Sequence, residues 1–146
     1  MEHNKPTLWR IFQTDYLTVV SGTFILVMWG FFLFFNFVQP IGLAELLFYA
    51  SIVVTVVGAV VITWRIRLIR STFEDGVEVE GAVVSVGFYR DRGQVTYAYE
   101  VNGERCQSTN AIMKERLTTQ LKPGQKVTLI VSRDNPRNAF IKSMYL

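Results

Sequence analysis

At 146 residues, half of them hydrophobic, and with a formal net charge of +3, the chain has room for one modest domain and is greasier than soluble domains of its size. Residues 1–70 carry five basic and three acidic groups and residues 71–146 carry ten and nine, so no basic face is reserved for nucleic acid. A single histidine, His3, and a single cysteine, Cys106, exclude an intramolecular disulfide and a Cys/His metal cluster.

Residues 1–15 read as an amphipathic N-terminal segment carrying Lys5, Trp9 and Arg10. Tyr16 to Val38 then holds 23 residues without a charge, and Leu46 to Trp64 holds another 19. A helix rises about 1.5 Å per residue and the hydrocarbon core of a bilayer is roughly 30 Å thick, so each run is long enough to cross it. Inside lipid the backbone must satisfy its own hydrogen bonds, which makes both runs helices. The first run exceeds the apolar core of a cleavable leader and no small-x-small site follows it, so it is expected to be retained. Pro40 and Gly42 in "NFVQPIGLAE" mark the turn of a two-helix transmembrane hairpin over residues 16–64.

Arginine distribution orients the hairpin. Arg10 and Arg65 bracket 54 residues that contain neither lysine nor arginine, and Arg65, Arg67 and Arg70 follow the second helix directly. By the positive-inside rule both termini face the cytoplasm and the turn faces outward. Trp9 and Trp64 sit at the same boundary, where indole rings prefer to lie. The protein is therefore expected to be an integral, multi-pass membrane protein, in a bacterial inner (plasma) membrane, with the lipid bilayer as its first partner.

Within the helices, Ser51, Thr55 and Ala59 recur every four positions beside Gly58, and Gly22 and Gly30 lie eight apart. Small residues at such spacing let helices approach closely, within the hairpin or between copies of it. Glu45 falls in the first turn of the second helix, where the helix dipole favours a carboxylate.

Residues 65–76, ending in "STFEDG", read as a basic juxtamembrane linker, and residues 77–146 as a cytoplasmic β domain. "VEVEGAVVSVGFY" starts with Val77 and Val79 inward and shifts phase at Gly81, so that Ala82, Val84, Val86 and Phe88 share a face, which is the sequence form of a β-bulge. "RDRG" is a turn. "QVTYAYEV" alternates cleanly, with Val95, Tyr97, Tyr99 and Val101 on one side. That side is either core or, through Tyr97 and Tyr99, a contact surface. Asn102-Gly103 predicts a type I′ hairpin returning through "ERCQST", Glu104 to Thr109. Asn110 reads as the N-cap of a short helix carrying Ile112, Met113, Leu117 and Leu121, closed by "KPG". "QKVTLIVS", with Val127, Leu129 and Val131 on one face, the turn "RDNP" and a last strand in "NAFIKSMYL" complete five strands and one short helix. The fold class is thus a membrane α-helical hairpin followed by a small β-rich domain, an open barrel or curled sheet.

The succession Tyr97-x-Tyr99-x-Val101-x-Gly103, a short helix, Gly124-x-x-Val127 and Arg133-Asp134-Asn135-Pro136 before a final apolar strand resembles the family termed domain of unknown function 3592. The resemblance covers roughly residues 77 to 141 and implies transmembrane helices beside a small β domain. Ser132 and Asp134 depart from the family's closing motif, Tyr-Asp-Pro-x-Asn-Pro. The resemblance carries no catalytic or ligand residue.

The residues themselves offer no catalytic, cofactor-binding or metal constellation. No Gly-x-Gly occurs, so phosphate and dinucleotide loops are absent, and Cys106 has no histidine in its domain to generate a thiolate. No cofactor, nucleic acid or small-molecule substrate is implied. The reading is a non-catalytic, membrane-anchored protein presenting its β domain to a protein partner as an accessory or scaffold subunit. The alternative is a self-associating assembly or small pore with a cytoplasmic β ring.

Overall fold

The computed structural model describes residues 5–38 and 42–146; His3 and Pro40, singled out above, lie outside them. The chain divides into two compact units, one formed by Leu17–Arg65 and the other by the residues up to Tyr16 together with Ile66–Leu146.

The first unit consists of apolar helix. Helix α2 runs Tyr16–Val38 and helix α3 begins at Leu43; both are long and apolar enough to cross a membrane. They meet along a seam of small residues. Ser51 Oγ is shared between its own helix, at Leu47 O (2.7 Å), and Met28 O across the seam (3.2 Å). Trp29 Nε1 donates to Thr55 Oγ1 at 2.9 Å, and Trp29, Phe32 and Phe48 pack ring on ring. A Cβ built on Gly58 would stand 2.7 Å from Ile25 Cδ1, so the Ile25 side chain packs directly on the glycine.

Helix α3 does not stop at the expected boundary near Trp64. It continues to Asp75, so the stretch expected to be a linker is helical. The cause is legible in Ile66, Ile69 and Phe73, which recur at helical spacing; Ile69 and Phe73 are buried and Ile66 packs against the same core. No breaker intervenes before Gly76, whose N–H caps Thr72 O at 2.9 Å. A Cβ at Gly76 would lie 2.1 Å from Thr72 O and 2.8 Å from Val131 O, so only glycine turns this corner from helix to strand.

The second unit is built on a five-stranded antiparallel sheet of order β3-β2-β1-β4-β5: β1 Val77–Tyr89, β2 Arg92–Val101, β3 Glu104–Met113, β4 Lys126–Val131 and β5 Ala139–Ile141. Asn102 and Gly103 both take positive φ, 54° and 81°, as a type I′ hairpin requires. The bulge of β1 lies later than expected. Register shifts between Val83 and Ser85, leaving Val84 unpaired. Val83 is therefore buried while Val77 and Val84 are exposed, and the inward set is Val79 and Val83 before the bulge and Val86 and Phe88 after it. Gly81 marks a tight spot in the interior, where a Cβ would meet Leu129 Cδ1 at 2.6 Å, and does not mark the phase shift.

The helix expected from Asn110 is instead the end of β3, which pairs with β2 through Arg92↔Met113. Ser108, Asn110 and Ile112 then fall on the inner face, and the pull of that register outweighs the capping propensity of asparagine. Only a single turn of 3₁₀ helix, Thr118–Gln120, remains. Strand β5 and the second half of β4, Leu129 to Val131, are buried on both faces. Leu129 and Ile141 face one way, while Ile130 and Phe140 face the other, where Phe140 meets Tyr145 of helix α4, Lys142–Tyr145, and Tyr145 meets Phe73. The expected final strand is thus three residues of strand and a helical turn. Helix α1, Leu8–Thr14, is capped by Thr7 and buries Ile11 and Thr14. Thr14 Oγ1 donates to Met144 O at 3.3 Å, and Asp15 bridges Ile112.

Candidate functional site

The densest polar constellation lies where the sheet curls back on itself. Alternation along β2 and β3 puts Tyr97, Tyr99, Ser108 and Asn110 on the inner face, and all four reach the backbone just before and within β5. Tyr99 Oη donates to Pro136 O, Ser108 Oγ to Arg137 O at 2.6 Å, and Tyr97 Oη to Ala139 O. Asn110 Nδ2 donates to Ala139 O at 2.8 Å and to Tyr97 Oη at 2.6 Å. Ser132 N donates to Asn138 O, so by antiparallel alternation the carbonyl of Ala139 points away from β4 and toward this seam. Side chains therefore close the barrel where no sixth strand does.

Tyr97 and Tyr99 are 0 % and 5 % exposed, which makes this face core and corrects the alternative of a Tyr97/Tyr99 contact surface. They are core residues whose hydroxyls tie down the closing turn. Burial, with the neighbouring Cys106 adding to it and Ser108 opposing it, raises the Tyr99 phenol above its ordinary pKa. Cys106 is itself half-buried. Among the described residues no three His, Cys, Asp or Glu side chains converge as metal ligands. The pairing of Tyr97 with Ala139 and of Tyr99 with Pro136 was not evident from segments so far apart in sequence. Ser108 and Asn110 were missed because Asn110 reads locally as a cap.

The boundary residues sit on exposed helix. Trp9 is 71 % exposed beside Leu8 and Phe12 on α1, and Trp64 is exposed on α3. Arg67 is exposed, Arg65 and Arg70 are half-buried, and Arg70 Nε has no hydrogen-bond partner. Of the small residues singled out for helix packing, Ser51, Thr55 and Gly58 line the seam and Gly22 is half-buried. Gly30 and Ala59 face outward, and a Cβ on Gly30 would meet nothing within 4 Å, so neither belongs to the hairpin contact.

A second feature was not anticipated. The β1–β2 hairpin turns through Arg90 and Asp91, with Arg90 at φ 55°. Tyr16, Tyr89, Arg90, Asp91 and Arg92 line a cleft of about 360 Å³. An adjoining groove of about 610 Å³ runs over the outer face of β1 and β2, past Ser85, Gly87, Gln94 and Thr96. Both guanidinium groups lie over Tyr89, with Cζ 5.5 Å (Arg90) and 5.7 Å (Arg92) from the ring centroid.

No curated protein and no solved structure matches the chain. The family model described as Domain of unknown function (DUF3592) matches residues 57–144, from the apolar part of α3 through both tyrosines of the seam and the closing turn to α4. That span is well over half of the chain, and the chain belongs to this family.

Proposed function

We propose that the chain is a membrane-anchored, non-catalytic protein whose helical hairpin holds a small barrel at the cytoplasmic face of a bacterial inner membrane, there to contact a protein partner. The observation that carries this reading is the make-up of the second unit. The residues before the apolar hairpin and those after it fold together, through Thr14 with Met144 and Asp15 with Ile112. Both flanks must then lie on one side of any membrane the hairpin enters, which fits two crossings and not one. The outward side chains of α2 and α3 support a lipid surrounding: Phe24, Leu26, Phe34, Phe37, Leu46 and Val53 are all exposed, and each such side chain gains roughly 1.5–3 kcal/mol on leaving water.

Lys5, Arg10, Arg65, Arg67 and Arg70 flank the hairpin, and residues 11–64 carry no basic group, which favours the cytoplasmic side for the barrel. Strand β1 pairs with β4 only from Val77 to Ala82, so beyond its contacts at Val83 its far edge is open to strand addition. Ser51 and Thr55 spend their hydroxyls within the hairpin, which favours the anchor over a water-lined pore. The test is topology in intact cells: tags at both termini are protected from external protease, while a cysteine placed between residues 36 and 45 is labelled from outside. Digestion of the C-terminal tag overturns the orientation.

A further inference from the structure

We propose that the β1–β2 hairpin tip, with Tyr16, is a binding site for the phosphate of an anionic phospholipid headgroup. This rests on the membrane reading above. Tyr16 is the first residue of α2, the first apolar run, and it lines one cleft with Tyr89, Arg90, Asp91 and Arg92. A residue that opens a membrane span lies at the depth of the headgroups, so the tip that shares its cleft lies there too.

The chemistry of the tip suits an anion. Neither Arg90 nor Arg92 has an ion-pair partner among the described residues. Both are stacked on Tyr89, which holds each planar fork ready for the bidentate contact that guanidinium makes with phosphate. Lys114 N donates to Asp91 O at 2.9 Å, bringing the segment Lys114-Glu115-Arg116 to the tip. Four basic side chains there face two acidic ones, Asp91 and Glu115. Arg90 occupies a positive φ, where glycine or asparagine would be less strained, and the turn alone gives no reason for an arginine. Tyr89 is 62 % exposed, an amphipathic ring of the kind that lies at interfaces. The groove beyond the tip has room for the rest of a headgroup, because Gly87 contributes no bulk and a Cβ there would meet nothing within 4 Å.

The experiment uses the full chain in neutral detergent, with native mass spectrometry reading the retention of dioctanoyl phosphatidylglycerol and dioctanoyl phosphatidylcholine. Each arginine near an anionic surface gives roughly a five-fold preference, so wild type is expected to retain phosphatidylglycerol at least about ten-fold better. Arg90→Gln/Arg92→Gln is expected to abolish most of that preference and leave phosphatidylcholine retention unchanged. Arg90→Lys/Arg92→Lys keeps charge but loses the planar fork and is expected to fall between, and it carries the test if the glutamine pair misfolds. Equal retention of the two lipids, an undiminished preference in the variants, or full displacement by equimolar inorganic phosphate overturns the proposal. Flotation with pure phosphatidylcholine vesicles separates the two readings. A chain that floats without preferring the anionic lipid sinks this inference alone, and a chain that fails to float sinks the membrane reading with it.

Discussion

Replacing Asn110 with alanine tests whether side chains close the barrel. The amide loses two bonds, to Ala139 O at 2.8 Å and to Tyr97 Oη at 2.6 Å, each worth about 0.5–1.5 kcal/mol net. Neither partner is orphaned, because Tyr97 Oη still donates to Ala139 O, so the expected loss lies near the lower end of the sum, about 1–2 kcal/mol. Read as amide hydrogen exchange in the full chain, that speeds exchange across residues 137–141 by about 5- to 30-fold, with residues 85–96 little changed. Tyr97→Phe alone is expected to act on the same segment by a comparable amount, since Asn110 still serves Ala139. The double variant leaves the Ala139 carbonyl, on a residue wholly enclosed by the fold, with no side-chain donor. Its cost is expected to exceed the sum of the singles by about 1–3 kcal/mol. Additive singles, or unchanged exchange at 137–141, would refute side-chain closure of the seam.

Gly76→Ala is expected to destabilise the second unit by at least about 3 kcal/mol, because the new methyl collides with two main-chain oxygens. Gly87→Ala, where a Cβ meets nothing within 4 Å, is expected to be neutral or slightly stabilising; thermal melts of the two variants in mild detergent compare them, and equal melting temperatures would count against the corner. Tyr99 governs an alkaline response. Its folded pKa is raised, so above about pH 10 the unfolded phenol releases its proton while the folded one keeps it, and stability falls as pH climbs from there toward the folded value. Tyr99→Phe is expected to flatten that fall between pH 9 and pH 11 in denaturant titrations, and an identical slope would contradict the assignment.

Much of the architecture was legible because periodicity reports burial. Val95, Tyr97, Tyr99 and Val101 alternate and do face inward, and the Asn102-Gly103 hairpin lies where turn chemistry puts it. The misses share a physical cause, namely competition between a local signal and a distant partner. Asn110 caps helices well in isolation, yet the β2 register carries it into a strand. Glycine at 81 suggested the bulge, but the extra residue is Val84, whose exposure follows from pairing with β2 and not from its own hydrophobicity. Helix α3 outran its apolar run because Ile66, Ile69 and Phe73 find a core whose other members are distant in sequence, among them Tyr145 against Phe73. The Tyr89–Arg92 cleft was hidden because Tyr89 reads as the end of a strand and Arg90 to Arg92 as part of a turn, and they line a cleft only together with Tyr16.

The docking of Thr14 on Met144 and of Asp15 on Ile112 bears on the order of synthesis. The amino-terminal helix leaves the ribosome before either surface that shelters it exists, and about a hundred and thirty residues separate Thr14 from its Met144 partner. Contacts so distant in sequence form slowly. Ile11 and its neighbours are thus bare to solvent, lipid or a chaperone until the stretch around Met144 has been made, and the second unit cannot finish packing before then.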